Sequence, residues 1–135
     1  MNVKYVPVEL LHQYWNKVGG YLQAGLDKTN GEYELAHLKV YLGTGMHSLY
    51  IAEEDEEVKG AASVNFINYP NHRIAYIISL GGKMVANPET WSNFAELLKL
   101  AGATKCQGCT LDSTTRLWES KTGFRKIYSV VEKDI

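Results

Sequence analysis

The amino-acid sequence predicts an α+β fold: a mixed central sheet of about six strands with helices packed on it, in the order β-α-α-β-β-β-α-β-α-β. Three observations carry this expectation. Strand-like runs from His47 to Ala52, Val58 to Ile67 and His72 to Leu80 follow one another with only short polar turns between them, as in an antiparallel meander. The third run ends in Ile77-Ile78-Ser79-Leu80, stops at Gly81-Gly82-Lys83, and is followed by a capped amphipathic helix. A further strand-like run, Lys105 to Leu111, comes after that helix, which is the β-α-β order that parallel neighbours require.

The elements follow in order. Val3, Tyr5 and Pro7 alternate with Lys4, Val6 and Val8, a weak period of two that predicts a first strand. Leu11, Tyr14, Trp15, Val18 and Leu22 recur at helical spacing, and Gly19-Gly20 predicts that this helix bends or restarts in the middle. Thr29-Asn30-Gly31 is a turn. Tyr33, Leu35, Leu38, Tyr41 and Leu42 predict a short second helix ended by Gly43-Thr44-Gly45. The turns of the meander are the acidic stretch Glu53 to Glu57, read as a solvated hairpin tip, and Asn68-Tyr69-Pro70-Asn71.

After the glycine pair, Asn87 is a good N-cap and Pro88 suits the first helical position. Trp91, Phe94, Ala95, Leu98 and Ala101 supply the apolar stripe of that helix, and Gly102 stands where a C-terminal cap belongs. Ser113-Thr114-Thr115 predict the start of a last short helix reaching about Lys121 and ended by Thr122-Gly123. Phe124 to Glu132 is predicted as the final strand, with Ile127, Ser129 and Val131 alternating against Tyr128, Val130 and Glu132.

These elements form a single domain spanning residues 1–135, without internal repeat, linker or low-complexity segment. A 45% apolar and 21% charged composition is that of a globular protein. A net charge of -1 supplies no general attraction for nucleic acid or an acidic membrane surface, so neither is an expected partner. No apolar run is long enough to cross a bilayer, and the N-terminal stretch reads as a strand without the apolar core of a signal peptide. A cytoplasmic protein is the expectation.

Cys106 and Cys109 form one Cys-x-x-Cys pair inside a strand-like run. Such a pair serves redox chemistry at a helix start, or zinc when a second pair exists. With no His or Cys nearby in sequence, the two read as buried structural thiols. A strand, a glycine turn and a helix also make an arrangement whose backbone amides can hold an anion, although the same words describe an ordinary crossover.

The element order, the glycine turn after the fourth strand and Gly123-Phe124 before the last one resemble the GNAT family of N-acetyltransferases over nearly the whole chain. Within that superfamily, Leu80-Gly81-Gly82, Trp91, Ala101-Gly102, Trp118-Glu119, Gly123-Phe124 and Glu132-Lys133 look like short GNAT-like proteins of tailed phages, which would place the protein in a host cytoplasm. The resemblance implies a three-layer fold and acetyl-CoA as co-substrate, lying where the fourth and fifth strands splay apart. It implies pantetheine along Ile77, Ile78, Ser79 and Leu80, and pyrophosphate at Gly81, Gly82, Lys83 and Met84.

The departures from the family pattern are specific. The family loop, Gln/Arg-x-x-Gly-x-Gly/Ala, runs straight into its helix, whereas here Leu80-Gly81-Gly82-Lys83 is followed by several residues before Asn87-Pro88. Glu89 places a carboxylate at the helix start, against the dipole a phosphate would use. The run from Ile74 to Leu80 lacks the acid that many members use as base. Counted back from Gly123, the family's Tyr acid falls on Glu119 and its Asn on Asp112. Tyr128 and Tyr76 are further candidate acids, His72 a candidate base, and Arg116 either a phosphate ligand or a partner of Glu119.

The function implied is an acyl-CoA-dependent N-acetyltransferase that transfers directly to an unidentified amine, a small molecule or a protein, without an acyl-enzyme. The alternative is a catalytically degenerate GNAT-fold binding or assembly protein. Tyr69 and Trp118 are candidate aromatics for a homodimer or partner surface.

Overall fold

Along the central strands, successive side chains enter two different apolar layers, one on each face of a single sheet. The computed structural model describes residues 1–85 and 87–135. Its strands are β1 (Asn2–Val6), β2 (Ser48–Glu54), β3 (Glu57–Asn68), β4 (Arg73–Gly82) and β5 (Lys105–Gly108), in the spatial order β1-β2-β3-β4-β5. The first three pairings are antiparallel and β4–β5 is parallel. The helices are α1 (Leu11–Leu26), α2 (Leu35–Thr44), α3 (Pro88–Leu100) and α4 (Asp112–Thr122).

One face of the sheet packs Val6, Leu49, Ile51, Ala61 and Ile78 against Val18, Leu22 and Leu26 of α1 and Leu38 and Leu42 of α2. The other packs Val3, Tyr50, Ala52, Val64, Ala75 and Ile77 against Phe94 and Leu98 of α3 and Trp118 of α4. The result is three layers, with α3 as the crossover that makes β4 and β5 parallel. Asn87 caps α3 as expected, its side chain accepting from the Thr90 N–H at 2.8 Å.

Several expectations are corrected. The glycine pair does not interrupt α1, which is continuous from Leu11 to Leu26. Val18 and Leu22, fully buried on either side of the pair, outweigh the ~1 kcal/mol that each helical glycine costs. The β2–β3 hairpin is tighter than predicted: only Asp55 and Glu56 lie in the turn, at φ of 53° and 64°. Those paired positive angles match the twist of the flanking strands, so pairing continues into the acidic stretch.

Among the described residues the sheet has five strands rather than six. β5 ends at Gly108 instead of Leu111, and Phe124 to Glu132 forms no strand. Two anchors explain the tail's path. The Phe124 ring sits 4.9 Å from the ring centres of both Trp91 and Trp118, and the Asn30 side chain donates to the Glu132 carboxylate at 3.2 Å. Between them the tail passes beside β5 without joining it. Val130 and Val131 are 77% and 90% exposed, so the alternating pattern has no buried face to stabilise a strand. Trp118 is buried, which removes it as a surface aromatic, whereas Tyr69 is exposed.

Candidate active site

The candidate site lies where β4 and β5 separate. Their ladder covers four residue pairs, from Ile74 with Lys105 to Ile77 with Gly108. On its other side, β4 has an irregularity at the same point: Val64 of β3 pairs with Ile77 and Ser63 with Ser79, leaving Ile78 unpartnered. This is a β-bulge, which bends a strand and re-aims its side chains. Ile78 enters the α1–α2 core, and the next residue, Ser79, donates from its hydroxyl to the Leu22 carbonyl of α1 at 2.7 Å. The bulge thus turns two consecutive side chains to one face. Among the described residues, β4 beyond Ile77 has no strand partner on the β5 side.

The fork encloses a narrow cleft of about 40 Å³, lined by Ile77 to Leu80 on one wall and Cys109, Thr110, Leu111, Thr114 and Trp118 on the other. Gly25, Lys28 and Thr29, at the end of α1, close its third side. Ile77, Ile78 and Ser79 are buried along this wall, and Leu80 is partly exposed at its end. Ile78, Ser79 and Leu80, singled out in the sequence, are therefore cleft residues. Lys28, Thr29, Thr110 and Thr114 are not marked by any sequence pattern; only the packing of α1 and α4 around the fork brings them there.

Gly81 and Gly82 have a packing role that spacing alone does not reveal. The strand runs through both, pairing with Ala61 and Gly60 of β3. A Cβ on Gly81 would sit 2.7 Å from the carbonyl carbon of Tyr21 and overlap its oxygen. Gly82 has φ of 71°, and the Lys83 N–H donates to the Lys59 carbonyl at 2.9 Å. Gly25 makes the reciprocal approach from α1, where a Cβ would meet the Leu80 nitrogen at 2.7 Å. Helix and strand thus come into backbone contact beside the cleft. Lys83 is exposed and Met84 buried in the α3-side core.

Of the candidate catalytic groups, Tyr76 reaches the fork, where its phenol oxygen lies 2.8 Å from the Sγ of Cys109, a residue the sequence marked only as a structural thiol, in a hydrogen bond. Burial, reinforced by that bond, holds the Tyr76 hydroxyl well above the usual tyrosine range, so it remains a proton donor in neutral solution. Cys109 is exposed, correcting the expectation of two buried thiols; Cys106 is the partly covered one, and burial pushes its thiol up to about 12. Among the described residues, no group of three His, Cys, Asp or Glu side chains is arranged to hold a metal ion.

A second cavity, of about 380 Å³, adjoins the cleft and shares Cys109, Thr110 and Trp118 with it. Tyr76, Asp112 and Tyr128 line this cavity. Glu119 is exposed on α4 and lines neither space. His72 lies outside both, its ring 3.2 Å from the Thr104 hydroxyl. No ion pair joins Arg116 to Glu119 among the described residues.

At the level of sequence no family model matches the chain, and no curated protein matches it either. Solved structures do. An aminoglycoside acetyltransferase from an uncultured soil metagenomic sample, in complex with sisomicin, superposes with a TM-score of 0.69 at 11% identity, covering 99% of this chain and 95% of that one. The ribosomal-protein-alanine N-acetyltransferase of Brucella melitensis biovar Abortus 2308 gives 0.67 at 12% identity, covering 99% and 100%. A predicted acetyltransferase of Clostridium acetobutylicum, with acetyl-CoA, gives 0.64 at 13% identity, covering 98% and 95%. No described helix is long and apolar enough to cross a membrane. With its mixed sheet, forked fourth and fifth strands and matching neighbours over nearly its whole length, the chain has the GNAT fold of these acetyltransferases.

Proposed function

We propose that the protein is an acyl-CoA-dependent N-acetyltransferase acting by direct transfer. The observation that carries this reading is the fork: among the described residues, a bulged strand edge without a strand partner on its β5 side from Ile78 to Leu80, with a narrow cleft along it. Ile78, Ser79 and Leu80 supply backbone groups to that arm. In this reading Gly81, Gly82 and Lys83, at the end of β4, are the residues nearest the pyrophosphate, with exposed Lys83 as its cation.

The acceptor's neutral amine attacks the thioester carbonyl, the C–N bond forms and the C–S bond breaks; the nitrogen gives up one proton to water and the departing thiolate sulfur takes one up. Tyr76 provides that proton by way of the Cys109 thiol, to which its hydroxyl is already bonded. Asp112, at the wall of the adjoining cavity, accepts the ammonium proton through water. Tyr128 lines the same wall, while the exposure of Glu119 offers no burial to favour an acid role.

A second reading, a degenerate binding or assembly module, is favoured by a different observation. Gly81 and Gly82 are committed to β3 pairing and to contact with Tyr21. The α3 amide of Thr90 is already taken by Asn87, and Pro88 has none. The likeness to short phage proteins belongs with this reading and rests on sequence pattern alone.

Calorimetric titration with acetyl-CoA separates the two. Binding in the micromolar range, weakened about tenfold in Lys83→Glu and abolished by the cleft-filling Thr114→Trp, supports the enzyme. No heat at millimolar acetyl-CoA from a folded protein would leave only the binding module.

A further inference from the structure

The cavity beside the cleft exists because of how the tail is held. Phe124 is clamped by Trp91 and Trp118 on the α3–α4 side, and Glu132 is tied to Asn30 in the turn after α1. A strand paired to β5 would lie about 4.8 Å away and leave no room between the two backbones. Here the intervening stretch pairs with no strand, and Arg125 to Val130 line an open-sided space of about 380 Å³ together with Gln107 and Gly108 of β5. That size falls near the lower end of the ~300–1,000 Å³ usual for small-molecule sites.

Its chemistry is divided between two walls. On the fork side are Asp112, Tyr76 and Cys109, the last shared with the cleft in which we place the thioester. On the tail side are Arg125 and Lys126. Among the described residues, none of these three charged side chains is in an ion pair. The rings of Trp118 and Phe124, packed on each other, add apolar surface to the same lining. A ligand matching both walls carries an ammonium at one end, an anion at the other and an apolar body between them. A polycation satisfies Asp112 but is repelled by Arg125 and Lys126.

From this arrangement we infer that the acceptor is a small amino-carboxylate, of the class of free amino acids with apolar side chains. It lies under the tail with its amine at the fork and its carboxylate toward Arg125 and Lys126. The inference rests on the acetyltransferase reading for the reaction, but not for the binding site. At the fork the deprotonated amine attacks the acyl carbon of the thioester. The C–N bond replaces the C–S bond, one amine proton passes to the surroundings, and the CoA sulfur leaves as the free thiol.

The test uses the full-length protein and three probes: L-leucine, L-leucinamide and spermidine. In the first arm, calorimetry without cofactor is expected to show L-leucine binding at least about tenfold more tightly than L-leucinamide, and Arg125→Glu/Lys126→Glu to remove that preference. Both substituted residues are exposed, so the variant is expected to fold as the parent does. In the second arm, release of free CoA thiol is followed with each amine, and the product is weighed by mass spectrometry. The expected result is N-acetyl-leucine formation, with a KM raised about tenfold in the double variant while acetyl-CoA affinity stays unchanged.

Equal or better binding of L-leucinamide or spermidine overturns the inference, as does a preference for L-leucine that the double variant retains. Leucine binding that the variant abolishes, in a protein that does not bind acetyl-CoA, upholds the amino-carboxylate site and overturns only the enzyme. Acetyl-CoA binding with no affinity for L-leucine overturns the acceptor class and leaves the cofactor reading standing.

Discussion

The two ends of the sheet are built by different rules. From β1 to β4 the strands pair over long antiparallel ladders, and α1 lies so close to β4 that glycines at 25 and 81 are the only way to avoid overlap. Beyond β4 the order thins: β5 contributes four paired residues, and the tail runs past it without a ladder. The first region is closed by packing, whereas the second leaves a cleft and a larger cavity next to each other. Free strand edges and unfilled volume are costly in a core but necessary for a ligand, so the candidate site falls where the regular sheet stops.

The largest effect that tests this contrast is expected in the core. Phe94, fully buried between Tyr50 and Trp91, should cost about 3–5 kcal/mol when changed to Ala, measured by urea unfolding. Its counterpart under the tail, half-buried Phe124, should cost only about 1 kcal/mol by the same measurement. Equal losses would mean that the tail is as much a part of the core as α3.

Next comes Gly81→Ala, where the new methyl group has backbone rather than a flexible side chain in its way. Destabilisation of about 3 kcal/mol or more is expected, with loss of the α1–β4 approach beside the cleft. A near-neutral result would show that α1 can slide away from β4, and that this side of the site is softer than the contact implies.

Tyr76→Phe addresses the open end. Removing the hydroxyl leaves the ring in place and should lower kcat about a hundredfold while acetyl-CoA affinity is unchanged. The pH profile carries a sign. Because burial raises the phenol above its ordinary value, the donating, protonated form persists to higher pH. The wild-type rate should therefore show no alkaline fall up to about pH 10 from this group, and a fall between about pH 8 and 10 would point to a different acid.

The smallest effect is a gain. Gly20 lies within α1, and a methyl group added there would have no neighbour within 4 Å, so Gly20→Ala should stabilise the protein by about 0.5–1 kcal/mol in urea unfolding. Together with Gly81→Ala it separates glycines that only loosen a helix from those that let two elements touch.

Much of this fold is legible in the amino-acid sequence because its signals are local. The meander, the crossover and the Asn87-Pro88 cap depend on side-chain period, turn residues and capping chemistry within a few positions, and they hold in three dimensions. Ile78, Ser79 and Leu80 are recognisable as a strand beside a glycine turn, and they do line the cleft. The tail misleads for the same reason: period two in Ile127, Ser129 and Val131 states what a strand would need, not whether a neighbour is in reach. Gly19-Gly20 misleads in the opposite sense, since a local penalty gives way to the burial of Val18 and Leu22.

The sequence by itself determined the element order as far as α4, the single mixed sheet with a parallel pair, and the strand edge next to the glycines, because periodicity and capping act over one or two turns of chain. Only the tertiary structure decided that Tyr76 meets Cys109, that Gly81 serves the contact with Tyr21, and that the tail lines a cavity together with Asp112. Those contacts join residues tens of positions apart, and their existence depends on how α1, α4 and the tail close around the fork.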